Sequence, residues 1–569
     1  MSAQFGAPRA LTVRSPAIPV LGGVPALVAL KLEGVEGVNR LFEYTVLLQT
    51  PDALNFMGGA ASNFALESWV GLELTCLIEL EGQGSFVAGL GGGGTANRGA
   101  GVREISGLIT AARFIGEASR HALYEVTLRP WAHLASLTTD CKVFQDATPV
   151  EAIERVLADY PFAADKRLIE HYPKRDYQVQ YNETDWEFVS RLMQEWGINY
   201  HFEHSGGVHR LIWSDHNGAF QVTQPEMDKG VSAYHQIPFY PLGHKIDREY
   251  IHGFSITDQI TSGAYASREY DYTRPRATLW ANSTAPRLTG HADQEVYLWR
   301  GDKGAIGGSD YSQPNKGADK AANQTEEQGR HLARLRMQTL RQSGLRAKGV
   351  GHVRGIVAGC TFSLTGHPRE QANAEYIVLD TQFVMENVSE DTQRRGGAGA
   401  AGPMGVATLS DAQRLTGQWR VEVTFDVQPT TEALRPVPTQ RKPTSGTETA
   451  LVVGPSADTA ESNIYTDPLG RIKVQFPWDR YGANNQNSSC WVRVAAEFAG
   501  NQLGAMHLPR IGQEVIVAFL QGDPDRPIVQ GRAYNAVNMP PWSKYPINQI
   551  ARPDSLASFL LSPPHSPVS

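Results

Sequence analysis

Three closely spaced histidines are the densest group of potential metal ligands in the sequence. His201, His204 and His209 lie in HFEHSGGVH, which is typical of two strands joined at Gly206–Gly207. Because successive residues of a strand point to opposite faces of a sheet, His201 and His204 cannot both bind one metal directly. Glu203 shares a face with His201, which favours a polar pair. The pattern therefore predicts a surface cluster of histidines and no metal site.

A glycine-rich run at 89–94, GLGGGG, formally satisfies the GxGxxG pattern of dinucleotide sites. In those sites the glycines open a helix, whereas here TANRGAGVREISG leads into a predicted strand. We therefore interpret residues 89–101 as a loop that binds no nucleotide. The sequence contains no GxxxxGK(S/T), GxSxG or HExxH motif, so the usual signatures of phosphate-binding loops, serine hydrolases and zinc proteases are missing from it.

Two other kinds of chemistry are alternatives at this level. Paired carboxylates could serve a cell-wall hydrolase, although the acidic residues are scattered and their spacing selects no pair. The basic and aromatic residues of RIKVQFPWDRYG (471–482) could stack single-stranded nucleic acid, although the alternation of a half-buried strand explains the same pattern. We assign no catalytic, cofactor-binding or metal-binding residue, and we predict a protein that is not an enzyme.

Composition bounds the class of protein. A length of 569 residues suffices for three or four domains. The 52 basic and 59 acidic residues give a net charge of −7, which argues against a general nucleic-acid-binding protein. The 11 Trp, 20 Tyr and 20 Phe exclude disorder over the whole chain.

Cysteine spacing and apolar runs indicate the compartment. Cys76, Cys141, Cys360 and Cys490 form no CxxC pattern, which favours reduced structural thiols over a zinc site or a disulfide scaffold. Prolines and glycines interrupt the N-terminal apolar stretch, and no run of 18 apolar residues follows it. We therefore expect a soluble chain that is made in the cytoplasm without a signal peptide and does not insert stably into membranes.

Apolar periodicity predicts strands first and then helices. Alternating residues indicate strands at 41–48, 71–80, 103–116 and 124–131. One helix begins at the Thr148 cap, and a second begins at a capping box formed by Thr184 and Glu187. The second helix carries an apolar stripe that we expect to be buried: Trp186, Val189, Leu192, Met193 and Trp196.

Residues 214–320 are polar and rich in turns. A short strand is expected at REYDYT (268–273), and a third helix at about 323–342. This helix is charged nearly all round, with arginines at four positions: Arg330, Arg334, Arg336 and Arg341.

The C-terminal third begins with a change of composition. Residues 394–405 are Gly-rich and residues 428–450 are Pro/Thr-rich, which is typical of spacers, although RVEVTFDV (420–427) can still pair as a strand. Short strands and the turns DPLG and GDPDRP then predict a small closed barrel of the OB type. Six residues should form its core: Ile472, Val474, Phe476, Val515, Val517 and Phe519.

Several long motifs resemble the VgrG family, the spike proteins of type VI secretion systems. The segment YPKRDYQVQYNETDWEFVSRLMQEWGINYHFEH (172–204) is similar to the hub signature of that family, and GVNRLFEYTVLL (37–48) and REISGLIT (103–110) are similar to its first hub domain. DPLGRIKVQFPWDRYG (467–482) and residues 490–535 resemble its OB module. The resemblance covers roughly residues 27–542.

The resemblance implies a fold and a set of partners. It implies a mainly β fold with a few helices (α+β), in which hub β-barrel domains precede a small OB-fold barrel. It also implies a homotrimer like the hub of contractile phage tails, which caps a tube of hexameric (Hcp-like) rings and helps deliver effectors into target cells. Baseplate, tip (PAAR-like) and effector proteins are the further implied partners, with no nucleic acid and no cofactor.

The resemblance also implies domain boundaries and a route out of the cell. We expect six regions: a leader (1–26), hub domain 1 with a helix (27–171), mixed α/β hub domain 2 (172–393), a Gly- and Pro-rich linker (394–462), the OB domain (463–540) and an irregular tail (541–569). The family's β-helical needle is absent after MPPW (539–542), so we expect a spike hub without a needle. The chain should assemble in the cytoplasm and leave through the type VI apparatus.

Overall fold

The computed structural model describes residues 11–21, 24–51, 63–80, 102–118, 121–162, 164–220, 234–243, 249–299, 311–316, 325–387, 419–439, 444, 446–455 and 463–540. Strands are the main regular secondary structure of this described part, and its three α-helices are α1 (Pro149–Leu157), α2 (Asp185–Glu195) and α3 (Thr325–Gln342). The fold is therefore mainly β with a few helices, as the sequence predicts. No helix in these ranges has both the length and the apolar character that a bilayer crossing requires.

The strands fall into two groups along the chain. The hub contains β1 (Leu11–Arg14), β2 (Val20–Leu21), β3 (Val24–Pro25), β4 (Val28–Gly37), β5 (Arg40–Gln49), β6 (Glu73–Glu79), β7 (Val102–Ala118), β8 (His121–Arg129), β9 (Thr139–Phe144), β10 (Ala164–Arg167), β11 (Gln178–Thr184), β12 (Asn199–Ser205), β13 (Val208–Ser214), β14 (Gln236–Pro238), β15 (Ile251–Asp258), β16 (Ala264–Glu269), β17 (Leu279–Thr284), β18 (Glu295–Trp299), β19 (Leu345–Gly351), β20 (Thr361–Thr365), β21 (Glu375–Asn387) and β22 (Trp419–Pro429). The C-terminal module contains β23 (Thr447–Val453), β24 (Lys473–Gln475), β25 (Arg493–Val494), β26 (Ala499–Gly500), β27 (Leu503–Gly504), β28 (Glu514–Phe519) and β29 (Pro527–Ala533).

One twelve-stranded sheet forms the body of the hub. Ten strands follow the order β1-β6-β7-β8-β5-β4-β21-β22-β19-β15, while β20 pairs with β21 and β14 pairs with β20. Its central joint is the antiparallel pairing of β4 with β21, in which Leu32 lies opposite Met385 and Gly34 lies opposite Phe383. Strands from both predicted hub domains therefore belong to one continuous ladder.

Two segments that were predicted to lie outside the domains supply strands to them, which corrects the sequence prediction. In the predicted leader (1–26), β1 pairs with β6 at the edge of the main sheet. In the predicted linker (394–462), β22 lies between β21 and β19, and β23 pairs with β24 and β28 of the OB sheet. These strands belong to the sheets with which they pair. The Gly- and Pro-rich residues beside β22 and β23 are typical of a linker, so composition did not assign the two strands to a domain. The alternating apolar residues of β22 are all buried: Val421, Val423, Phe425 and Val427.

A buried ion pair lies beside the central joint of the sheet. Arg103 of β7 is only 2% exposed, and its Nη2 lies 3.0 Å from Oε1 of Glu36 on β4. Its Nη1 donates to the carbonyl oxygen of Arg354, at 2.7 Å, and its guanidinium lies 5.0 Å from the ring centre of Phe383 on β21. Because a guanidinium stays charged and is costly to bury unpaired, these contacts hold strands β4, β7 and β21 in one arrangement.

The first two helices begin where their sequence signals predict. Thr148 and Glu151 form a complete capping box at α1, and Thr184 and Glu187 form one at α2. Gly197 follows α2 with a φ of 71°, a left-handed conformation that favours glycine. The predicted apolar stripe of α2 is buried throughout: Trp186, Val189, Leu192, Met193 and Trp196.

Helix α3 is not charged all round, which corrects the prediction for this helix. Leu332, Leu335 and Met337 are buried, and so is Arg336. Arg336 Nη2 donates to the carbonyl oxygen of Glu195, at 2.7 Å, at the C-terminal end of α2. This cation therefore satisfies an orphan carbonyl and complements the helix dipole.

The predicted strand at 268–273 begins earlier and ends earlier in the structure. Strand β16 stops at Glu269, because Asp271 starts a turn. Its Oδ1 accepts a hydrogen bond from the backbone N–H of Thr273, at 2.8 Å.

The C-terminal module contains a five-stranded sheet, and one of its strands, β23, lies outside the predicted OB domain. The sheet order is β24-β23-β28-β29-β25, so β23 extends the predicted OB domain (463–540) toward the N-terminus. All six predicted core residues are buried: Ile472, Val474, Phe476, Val515, Val517 and Phe519. The DPLG turn is closed by the N–H of Gly470 donating to the carbonyl oxygen of Asp467, at 2.9 Å.

The buried stripe of α2 generates a stability prediction. Trp186→Ala should lower the free energy of unfolding by about 3–5 kcal/mol, because it empties a site packed edge-on against Tyr200 at 5.1 Å. Trp280→Ala is the matched control, since Trp280 is 48% exposed. Chemical denaturation of both variants measures the difference. Equal losses would show that the α2 stripe is not part of the core.

Candidate functional site

The hub and the OB module share one apolar cluster. Tyr177, which immediately precedes β11, and Val179 within β11 are buried together with the OB core. Tyr181 of the same strand lies edge-on to Trp478, with ring centres 5.3 Å apart, and 6.1 Å from the ring centre of Phe519. Buried aromatic surface of this kind contributes strongly to association. The OB module is therefore docked on β11 through its own core, and we call this contact the hub–OB junction.

Hydrogen bonds at the edge of the cluster set the register of the two parts. The backbone N–H of Val179 donates to Oδ1 of Asp525 on the OB module, at 2.8 Å. The hydroxyl of Tyr181 donates to Oε1 of Glu448 on β23, at 2.6 Å. Both acceptors are carboxylates, so these are charge-assisted bonds with strict geometry.

Asp140 on β9 anchors the opposite side of the junction. Its Oδ2 accepts hydrogen bonds from Arg480 Nη2 and from the hydroxyl of Tyr481, each at 2.7 Å. Burial raises the pKa of Asp140, but the hydrogen bonds from Tyr481 and Arg480 outweigh burial and hold the pKa below its usual value. Asp140 is therefore ionised at neutral pH and keeps both OB side chains in place.

Arg471 of the OB module connects a turn of that module to the hub. Its Nε donates to Asp467 Oδ2, at 2.8 Å, and its Nη1 donates to the carbonyl oxygen of Pro314 in the hub, at 2.5 Å. Nη1 also lies 3.0 Å from the hydroxyl of Tyr272, and Nη2 donates to the carbonyl oxygen of Lys316, at 3.1 Å. The signal that could have found it is the DPLGR spacing, which puts Asp467 one turn before the arginine.

The segment that suggested nucleic-acid stacking is used inside the protein. Ile472, Val474 and Phe476 fill the OB core, and Arg471 is buried in the junction. Lys473 Nζ donates to the carbonyl oxygen of Ser489, at 2.6 Å. The alternation of a half-buried strand therefore accounts for the positions of these residues.

The histidine cluster is buried and not on the surface, which corrects the sequence prediction. Both faces of the β12–β13 hairpin are covered. His201 lies 5.5 Å from Phe220, while His204 and His209 lie 5.0 and 5.5 Å from Phe42, all between ring centres. His201 and His204 were predicted to lie on opposite faces of the sheet, and they contact different aromatic rings.

Two of these histidines are hydrogen-bond acceptors and therefore neutral. His204 Nδ1 accepts from the backbone N–H of Ser106, at 3.0 Å, and His209 Nε2 accepts from the backbone N–H of Trp131, at 2.8 Å. Burial, with the charge of Arg103, lowers the pKa of His204 to about 3. Burial, with the neighbouring His204, lowers the pKa of His209 to about 3. Their role in the hub is to satisfy backbone donors.

The remaining sequence features contribute little to a site. In the described ranges no three His, Cys, Asp or Glu side chains are grouped so that they could hold a metal ion. Cys76 and Cys490 are buried, one in each core, and burial raises the pKa of both thiols. The glycine run at 89–94 lies outside the described residues.

Comparison with known proteins agrees with this architecture. Residues 35–389 match the phage tail baseplate hub (GPD) family, and residues 459–534 match the type VI secretion system/phage-baseplate injector OB domain. The chain is 33% identical to the type VI secretion system spike protein VgrG1a of Pseudomonas aeruginosa, over 91% of this chain and 69% of that protein. It is 35% identical to VgrG1b of the same organism, over 77% of this chain and 53% of that protein.

A solved structure shows the same fold at lower identity. It is the E. coli c3393 protein, a component of the type VI secretion system described as similar to the T4 bacteriophage tail proteins gp27 and gp5. The TM-score is 0.54 at 17% identity, with 92% of this chain and 100% of that chain covered. The hub sheet and the OB module together thus define a phage-tail-type hub protein.

The particular family follows from the sequence relatives. The chain belongs to the VgrG family of type VI secretion system spike proteins, and its role is that of a structural hub and spike component.

The contacts of Arg471 generate a prediction about the junction. Arg471→Ala should lower the free energy of unfolding by about 3–5 kcal/mol, because it removes the ion-pair partner of the partly buried Asp467 and leaves two hub carbonyl oxygens without their donor. Arg510→Ala, an exposed arginine of the same module, is the control and should change stability by less than about 0.5 kcal/mol. Calorimetry measures both. If the melting curves of Arg471→Ala and Arg510→Ala coincided, Arg471 would not stabilise the junction.

The two buried histidines generate a pH prediction. Their pKa values in the folded state lie below the unfolded value, so the unfolded chain binds more protons and stability falls as the pH drops from about 6.5 to about 3. The slope should be about 1.4 kcal/mol per pH unit for each histidine. His209→Gln, whose amide oxygen can accept the Trp131 bond, should flatten the profile. Exposed His291→Asn should leave it unchanged, and a wild-type-like slope in His209→Gln would contradict the assignment.

Proposed function

We propose that this protein is the trimeric hub of a type VI secretion spike, seated on the end of a tube of hexameric rings. The observation that carries the proposal is the hub–OB junction. Because Val179 and Tyr181 of the hub are packed against the OB core, a force applied to the OB module passes directly to the β9–β11 pair of the hub. A spike that is driven through a barrier requires this rigid connection.

The match in symmetry supports a trimer on a hexameric tube. Three chains that each contribute two hub domains present six similar units, which fits a six-fold ring. The division of the hub at about residue 171 is part of this proposal.

The exposed apolar residues of the OB module support a second copy as the partner. The β26–β27 hairpin and the loop after it expose large apolar side chains: Phe498, Leu503 and Met506. Leu503 is 64% exposed and Met506 is 77% exposed in the single chain. Grouped exposed apolar residues mark interaction sites, so we place an OB–OB contact of the trimer here.

The same proposal covers the remaining partners and the route of export. A tip protein, baseplate proteins and effectors would bind the assembled trimer, and the tube would carry it out of the cell without a signal peptide. The chain would act by position and mechanical strength, without catalysis. A peptidoglycan zymogram with a clear lysis band would contradict the non-enzymatic part.

Sedimentation velocity tests the trimer and its contact. At tens of micromolar the wild-type chain should sediment as a trimer, and Leu503→Asp should shift it toward a monomer, because a carboxylate would be buried in the contact. Leu288→Asp is the matched control, since Leu288 is a fully exposed hub residue outside the hairpin. A wild-type monomer at these concentrations, or equal behaviour of the two variants, would contradict the proposal.

A further inference from the structure

A cavity lies between the hub and the OB module, next to the junction. Its volume is about 70 Å³, and one side of it is open to solvent. The hub wall is formed mainly by residues 175–178 with Tyr272, and the OB wall is formed by Arg493 and residues 525–528. Any molecule in this cavity touches both parts of the chain at once.

Two arginines of the cavity have no carboxylate partner among the residues that the structure describes. Arg175, from the hub, is 7% exposed, and its Nη1 is buried without a hydrogen-bond acceptor. Its guanidinium lies 5.8 Å from the ring centre of Trp196. Arg493, from the OB module, is half-buried and lies 4.3 Å from the ring centre of Tyr272. Aromatic rings thus orient both guanidinium groups and leave their N–H edges available.

Two of the three acidic residues of the wall accept hydrogen bonds from backbone N–H groups. Asp176 Oδ2 accepts from the backbone N–H of Asn315, at 3.0 Å, and Asp525 Oδ1 accepts from that of Val179, at 2.8 Å. Burial raises the pKa of Asp176. The third acid, Glu195, lies at the end of α2. In the described part of the chain, Asp176 and Asp525 thus form hydrogen bonds with backbone groups and not with the guanidinium groups of Arg175 or Arg493.

Two neutral residues of the same wall also carry unsatisfied polar atoms. The hydroxyl of Tyr177 and Oε1 of Gln178 are buried, and neither has a hydrogen-bond partner in the described part of the chain. Gln178 Nε2 is occupied, since it donates to the carbonyl oxygen of Ala147, at 3.1 Å. A complementary ligand needs acceptor oxygens for the arginines and a hydroxyl that donates to Gln178.

We propose that this cavity is a binding site for a phosphate group, either free inorganic phosphate or a phosphate monoester. A monohydrogen phosphate supplies acceptor oxygens for Arg175 and Arg493 and one hydroxyl for Gln178 Oε1. Planar guanidinium groups match phosphate oxygens in pairs. The alcohol part of a monoester would extend through the side of the cavity that is open to solvent. Because the ligand bridges hub and OB residues, its binding stabilises the junction.

Isothermal titration calorimetry on the full chain tests the site. Inorganic phosphate and glycerol 3-phosphate are titrated separately at constant ionic strength, with glycerol and chloride as blanks. We expect saturable binding of at least one phosphate compound, together with a saturable rise in melting temperature. Binding of both shows that free phosphate suffices, and binding of glycerol 3-phosphate alone identifies a monoester. Absence of saturable heat with both overturns the proposal.

Variants locate the binding in this cavity. Arg493→Gln should weaken phosphate binding about tenfold or more, whereas Arg532→Gln, an exposed arginine of the same module, should bind like the wild type. Arg493→Lys keeps the charge but loses the planar guanidinium group, so it should weaken phosphate binding severalfold. It is the test variant if Arg493→Gln does not fold. Wild-type affinity in a folded Arg493 variant, or an equal loss in Arg532→Gln, would overturn the assignment.

Discussion

The antiparallel pairing of β4 with β21 is the joint on which the hub depends, because residues some 350 positions apart must meet for the sheet to be continuous. Backbone N–H and C=O groups in the interior of these strands need hydrogen-bond partners, which the pairing supplies. The joint also requires small residues. A Cβ at Gly34 would clash with the ring of Tyr44, and one at Gly37 would clash with Asp380. The Arg103–Glu36 pair beside it is stable only in the assembled sheet, so the two halves of the hub order one another.

The hub–OB junction likewise joins distant parts of the chain, in this case two modules. Its apolar centre, formed by Val179 and Tyr181 against the OB core, supplies association energy, while Arg471 and Asp140 supply geometry. The same strand, β11, therefore belongs to the hub by its pairing with β9 and to the OB module by its side chains. A protein whose role is structural needs its strongest contacts where force crosses from one module to the next.

The C-terminal end of α2 is also held by residues that are distant in the sequence. The carbonyl groups at the end of α2 are bound by Arg336 from α3 and by Arg435, whose Nη1 donates to the carbonyl oxygen of Gly197, at 3.1 Å. Both arginines are buried. Distant segments are thus held to α2 by cations that its dipole favours, which connects the helical part of the hub to the chain that leads into the OB module.

The amino-acid sequence by itself determined the local features of this protein. Capping boxes at Thr148 and Thr184, the Gly197 stop, the alternation of β5 and the OB core are written in spacings of two to four residues, because they depend on neighbours along the chain. The long motifs also identified the family.

The tertiary structure alone decided which distant residues meet. The edge strand β1, the inserted strand β22 and the buried states of His204, Arg336 and Arg471 all depend on partners far away in the sequence. Composition and periodicity describe a residue's own segment and contain no information about which surface will cover it. For that reason the sequence predicted a surface histidine cluster and a linker, where packing and strand pairing produced a core and a central strand.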